Sequence, residues 1–140
     1  MEKYDVILYD LIQNTETHST VYADEGEISD EIVLKIMLKN ISIIAKSECY
    51  LSAYQELRDE LLINGFGLKC NSSCINATQS AIIGYIPQIY LVKIGKQALN
   101  KDIVSIWDYC DINAFPDTIQ QNQYIERWFE SLSINSDLSE

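Results

Sequence analysis

The sequence predicts a single α+β domain in which a mostly antiparallel sheet packs against about three helices. Three observations carry that expectation. Runs rich in β-branched and aromatic residues occur near both ends, at residues 4–12 and 103–109. A helical period of apolar residues fills the stretch from 48 to 63, and no repeat or domain linker interrupts the 140 residues. With 47% hydrophobic residues the chain is long enough to bury a core without staples. The expected domain spans residues 1–132, and residues 133–140 read as a polar C-terminal tail.

In chain order, Tyr4 to Ile12 reads as a buried strand, Asn14 to Thr20 as a polar turn, and Thr20 to Ala23 as a short partner strand of a hairpin. Ser29 followed by Asp30 and Glu31 has the form of an N-cap with acids in the first helical turn. It predicts a helix from about Asp30 that buries Ile32, Ile36 and Met37, with Ile41 and Ile44 as further core positions. Ser47 reads as the next N-cap. After it Tyr50, Leu51, Tyr54, Leu57, Leu61 and Leu62 recur at steps of three and four until Asn64-Gly65 stops the helix. Phe66 to Cys70 reads as a strand, Asn71-Ser-Ser as a turn, and Cys74 to Ser80 as a returning strand or loop. Tyr85 to Ile94 is a strand that either lies at an edge or begins just after Pro87, because proline cannot donate to a ladder. Ile103 to Tyr109 is the clearest strand of the second half. Asp117 or Thr118 caps a last helix, to about residue 132, whose Tyr124, Ile125, Trp128, Phe129 and Leu132 face the core.

The opening MEKYDVILYDLIQ lacks a basic n-region, a long apolar stretch and a small-residue cleavage site, and no run approaches the ~18 apolar residues of a membrane span. A cytoplasmic location is therefore expected. In that reducing compartment Cys49, Cys70, Cys74 and Cys110 are expected as free thiols, and the sequons at Asn40, Asn71 and Asn76 carry no meaning.

Charge is distributed unevenly. Residues 1–31 carry nine acids against Lys3 alone, residues 32–101 carry four acids and eight bases, and residues 102–140 carry eight acids and only Arg127, within a total of −11. Chain termini of a single domain often lie close together, so these acids are expected to form one negative surface. Such a surface repels nucleic acid and anionic membrane and steers basic partners into contact.

No constellation of catalytic residues competes with this feature, and no cofactor or metal is expected. Cys70-Asn-Ser-Ser-Cys74 has three residues between its thiols, where a thioredoxin-like pair has two, and structural zinc would need more ligands of the Cys/His type than the spacing offers. The only histidine, His18, sits in a polar stretch. Asp24-Glu-Gly-Glu27 lacks the twelve-residue spacing of a calcium loop. Gly65-Phe-Gly67 precedes a strand and cannot cradle phosphate, and Lys93, Lys96 and Lys101 are too few for nucleic acid against the overall charge.

What remains is aromatic residues beside acids. Trp107, Asp108, Tyr109 and Asp111, followed by Asp117, couple large amphipathic rings to carboxylates, as interface anchors do, although burial in the core is the more frequent outcome for a ring such as Trp107. A second candidate group is Asp24, Glu25, Glu27, Asp30 and Glu31.

The stretches Cys49–Leu62, Gly67–Ser73 and Val104–Asp111 resemble bacterial immunity proteins of contact-dependent growth inhibition and Rhs-type polymorphic toxin systems, small acidic domains that neutralise a cognate toxin. The resemblance implies a cytosolic, non-enzymatic inhibitor that occludes a basic nuclease surface, and it carries over no site residues. The alternatives are an acidic adaptor or regulatory subunit, and a small hydrolase using carboxylates.

Overall fold

The computed structural model describes residues 1–26 and 30–138. Its first 25 residues form one long hairpin of β1 (Glu2–Asp10) and β2 (Thr15–Glu25), paired from Glu2 with Ala23 to Asp10 with Thr15. Val6, Leu8, Val21 and Ala23 alternate onto the buried face. At the tip, the Asp10 carboxylate accepts hydrogen bonds from the amides of Ile12 (2.9 Å) and Gln13 (3.0 Å), and Asn14 takes the left-handed conformation at φ 55°. The second strand is thus longer than expected, because the polar run from Thr15 to Thr20 pairs with β1 where a turn was predicted. A polar strand is stable there because its side chains are exposed or half-exposed and its backbone pairs along one edge with β1.

The helix expected from Asp30 is not formed. Residues 32–47 are a second hairpin, β3 (Ile32–Met37) and β4 (Ser42–Ser47), joined through Lys39-Asn40 with the Leu38 amide donating to the Ile41 carbonyl at 2.8 Å. Ile32, Leu34 and Ile36 are buried while Val33, Lys35 and Met37 are not, and Ile43 and Ala45 are buried while Ile41 and Ile44 are exposed. That is a period of two, which only a strand satisfies. The fold is α+β as expected, with two α-helices among the described residues where about three were predicted.

The main sheet is antiparallel, in the order β4-β3-β2-β1-β5, with β5 (Phe66–Leu68) on the far side of β1. Helix α1 (Tyr50–Ile63) covers it with Tyr50, Leu51, Ala53, Tyr54, Leu57 and Leu61. Its start is not capped by Ser47. The Gln79 side chain accepts from the Leu51 amide at 2.9 Å and the Gly84 carbonyl accepts from the Tyr50 amide, so distant chain satisfies the first turn. Its end does use Asn64 and Gly65, the latter at φ 89°.

The second half adds a small antiparallel sheet of β6 (Ala77–Thr78), β7 (Gln88–Leu91) and β8 (Ile103–Ser105) in that order. Pro87 directly precedes β7, where its missing N–H costs nothing. Strand β8 stops at Ser105, short of the predicted Tyr109. Helix α2 (Thr118–Leu138) begins in a reciprocal cap in which the Asp117 carboxylate accepts from the Gln120 amide at 2.9 Å and the Gln120 side chain accepts from the Asp117 amide at 3.0 Å. The helical backbone runs on to Leu138, through much of the expected polar tail. No helix among the described residues is long and apolar enough to cross a membrane.

Candidate interaction surface around Lys69

After β8 the chain passes through Ile106 and Trp107 and lies along the residues that follow β5. The Asn71 amide donates to the Asp108 carbonyl at 3.0 Å, the Cys110 amide donates to the Lys69 carbonyl at 3.2 Å, and Cys70 and Tyr109 form an antiparallel bridge. Residues 108–110 therefore extend the main sheet beyond β5. Trp107 is only 4% exposed, stacked on Tyr4 and edge-on to Tyr50 and Tyr54, with its indole N–H donating to the Tyr50 hydroxyl at 3.0 Å. It is a core residue and leaves the list of partner-binding candidates. Burial pushes the Tyr50 hydroxyl well above the usual phenol range, so the acceptor of that bond stays neutral.

Tyr109, by contrast, is 53% exposed. Beneath it lies Lys69, 7% exposed, whose Nζ donates to Glu16 at 2.7 Å and Asp111 at 3.0 Å and sits 5.1 Å over the Tyr9 ring. Its hydrogen bonds to Glu16 first, then to Asp111, raise the Lys69 pKa above the ordinary lysine range, and the same ammonium holds Asp111 below the usual carboxylate value. Loss of solvent and then the Asp111 charge raise Tyr109, whose hydroxyl donates to Asp111 at 3.3 Å. Phe115 closes this side by stacking on Tyr9 at 5.4 Å. It lies so close over Gly67 that an added Cβ would fall 2.3 Å from the ring, so the sequence needs glycine there for steric reasons. Acids from the two ends of the chain do meet, but they meet on one buried lysine.

The candidate acids fall into two places. Asp108 and Asp111 are exposed beside Tyr109, and Asp117 spends a carboxylate oxygen on the α2 cap. Asp24 and Glu25 lie at the opposite end of β2 from Glu16, about 26 Å away along eight residues of strand. There Glu25 accepts from the Tyr4 hydroxyl at 2.6 Å and, with Glu2 and Asp24, borders a cleft of about 100 Å³. Asp30 and Glu31 are exposed just before β3 and are not in a helical turn, and Glu27 lies outside the described residues. Two separate acidic surfaces result, where one was expected.

Sequence reasoning missed a polar joint under α2. Arg58, on the buried face of α1, donates to Asp59 (2.9 Å), Thr118 (3.3 Å) and Gln121 (2.7 Å), while the fully buried Gln121 donates to the carbonyls of Ser72 (2.9 Å) and Cys74 (2.8 Å). Polar side chains at helical core positions were the available signal. Three of the lysines, Lys93, Lys96 and Lys101, line an open cleft of about 340 Å³ with Leu99 and Asp102. Among the described residues no group of three or more His, Cys, Asp or Glu could hold a metal ion. No known family matches the sequence, and no curated protein is similar to it.

Proposed function

We propose that this chain is an immunity protein that neutralises a cognate toxin domain, a basic nuclease, by covering its active surface. The observation that supports the reading is the surface around Tyr109. An exposed, amphipathic ring stands on an ordered ribbon, flanked by exposed Asp108 and Asp111, and is braced by Lys69 against the β1–β2 hairpin. Rigid aromatic anchors with satisfied polar neighbours are what interface centres use, because little side-chain entropy is lost on binding. The flanking acids match a protein that must present cations to phosphate. The second acidic surface, at Asp24, Glu25, Asp30 and Glu31, adds long-range attraction without an exposed ring among those four residues.

The test is affinity by calorimetry and rates by stopped-flow mixing against the toxin domain encoded beside this chain, at low and high salt. Asp108→Lys and Tyr109→Ala should each weaken binding at least tenfold, mainly through faster dissociation for Tyr109→Ala, whereas reversing Asp24 and Asp30 should chiefly slow association. If neither variant at 108 or 109 weakens binding tenfold, the surface is wrong. If no neighbouring product binds while several basic proteins bind weakly, the adaptor reading replaces this one.

A further inference from the structure

Three of the four cysteines converge beneath the turn at residues 71–74. Cys70 is fully buried with its sulfur 3.3 Å from the Tyr54 hydroxyl, so the Cys70–Cys74 spacing noted in the sequence is not the pair that meets. Instead the sulfurs of Cys74 and Cys110, 36 residues apart, lie 3.4 Å from each other, and both residues are half-buried, within reach of small solutes. A disulfide needs about 2.05 Å, so an approach of about 1.4 Å, within the range of side-chain rotation, separates contact from bond.

Both backbones are already fixed at that separation. The Cys74 amide donates to Asn71 at 3.0 Å and its carbonyl accepts from Gln121 at 2.8 Å, while the Cys110 amide donates to Lys69 at 3.2 Å. The encounter of the two thiols is therefore a property of the fold and does not wait on loop motion.

We infer that Cys74 and Cys110 are an oxidative modification site, closing to a reversible disulfide when the protein meets hydrogen peroxide. Peroxide takes one thiolate to a sulfenic acid, with its O–O bond broken and hydroxide released. The other thiol attacks that sulfur, the S–S bond forms, and the sulfenic oxygen leaves as water. In sum two thiols and one peroxide give one disulfide and two waters, with two electrons passing from sulfur to oxygen. Burial and the neighbouring Cys110 thiol push Cys74 up to about 12, so Cys110 is the sulfur that peroxide oxidises first and Cys74 is the thiol that then attacks it. Cys110 lies between Tyr109 and Asp111, so the bond would tie that ribbon to the turn beneath α2.

The experiment uses the full chain carrying Cys49→Ser, which removes the exposed thiol and leaves Cys70, Cys74 and Cys110. After hydrogen peroxide and denaturation, free thiols should fall from three to one, with a loss of two hydrogens in mass and a peptide linking residues 74 and 110. The melting temperature should rise by about 5–10 °C and return on reduction. With Cys110→Ser added, both remaining thiols should survive. Three surviving thiols in the Cys49→Ser protein, a bond to Cys70, a bond between two chains, or added oxygen without a bond would each overturn the assignment. None of these readouts depends on the toxin partner.

Discussion

At the scale of single residues, Trp107 and Tyr109 show what decides whether a large ring becomes core or surface. Their spacing places both on one face of a regular strand, and that much was legible. What the sequence does not encode locally is that regular pairing ends at Ser105, after which Trp107 turns into the cluster of Tyr4, Tyr50 and Tyr54 while Tyr109 stands at the edge of the extended sheet. The two substitutions should therefore separate. Trp107→Ala is expected to lose ~3–5 kcal/mol of stability in urea titration, from the emptied volume and the Tyr50 hydroxyl left without its donor. Tyr109→Ala should leave the urea midpoint close to wild type while weakening partner binding. Equal losses of stability from both would contradict the assignment of one ring to the core and the other to the surface.

Among the elements, α1, β1, the Asp117 cap of α2 and the proline-bounded start of β7 follow from period, caps and breakers in the sequence. The stretch after Ser29 did not, because Ile32 and Ile36 are four apart and so satisfy a helical stripe and a strand face alike, and the Ser-Asp-Glu triplet looks like a helix start. The decision falls to tertiary pairing: β2 offers an open edge to Ile32–Ile36, and Lys39-Asn40 supplies the return. The alternation in β4 gives a direct check, since a helix would not distinguish adjacent isoleucines in this way. Ile43→Ala should cost ~2–4 kcal/mol and Ile44→Ala less than ~1 kcal/mol, measured by denaturant unfolding. Comparable costs would argue against the strand.

Across the whole molecule, the charge asymmetry was plain in the sequence, but its convergence on Lys69 was not, since Glu16, Lys69 and Asp111 lie 42 to 53 residues from their partners. This triad sets a pH window. Asp111 is lowered in the folded state, so its contribution is present above the ordinary Asp pKa of about 4 and is lost as pH falls through the lower folded value. Lys69 is raised, so its contribution is present below the ordinary Lys pKa of about 10.4 and is lost as pH rises through the higher folded value. Lys69→Met should therefore lower the urea midpoint most between those limits, and the gap to wild type should narrow in acid. A gap that does not change with pH would show that Lys69 acts through packing alone.

The order β4-β3-β2-β1 has a kinetic consequence. Each of these four strands pairs with its neighbour in sequence, so the first 47 residues form a meander whose contacts close short loops at small entropic cost. The ribbon bearing Tyr109 docks on β5, which must itself reach back to β1, and so cannot find its place until that meander exists. A chain emerging from the ribosome can assemble the meander first and complete the proposed binding surface late, which leaves the nascent protein unable to engage a partner until most of its length has been made.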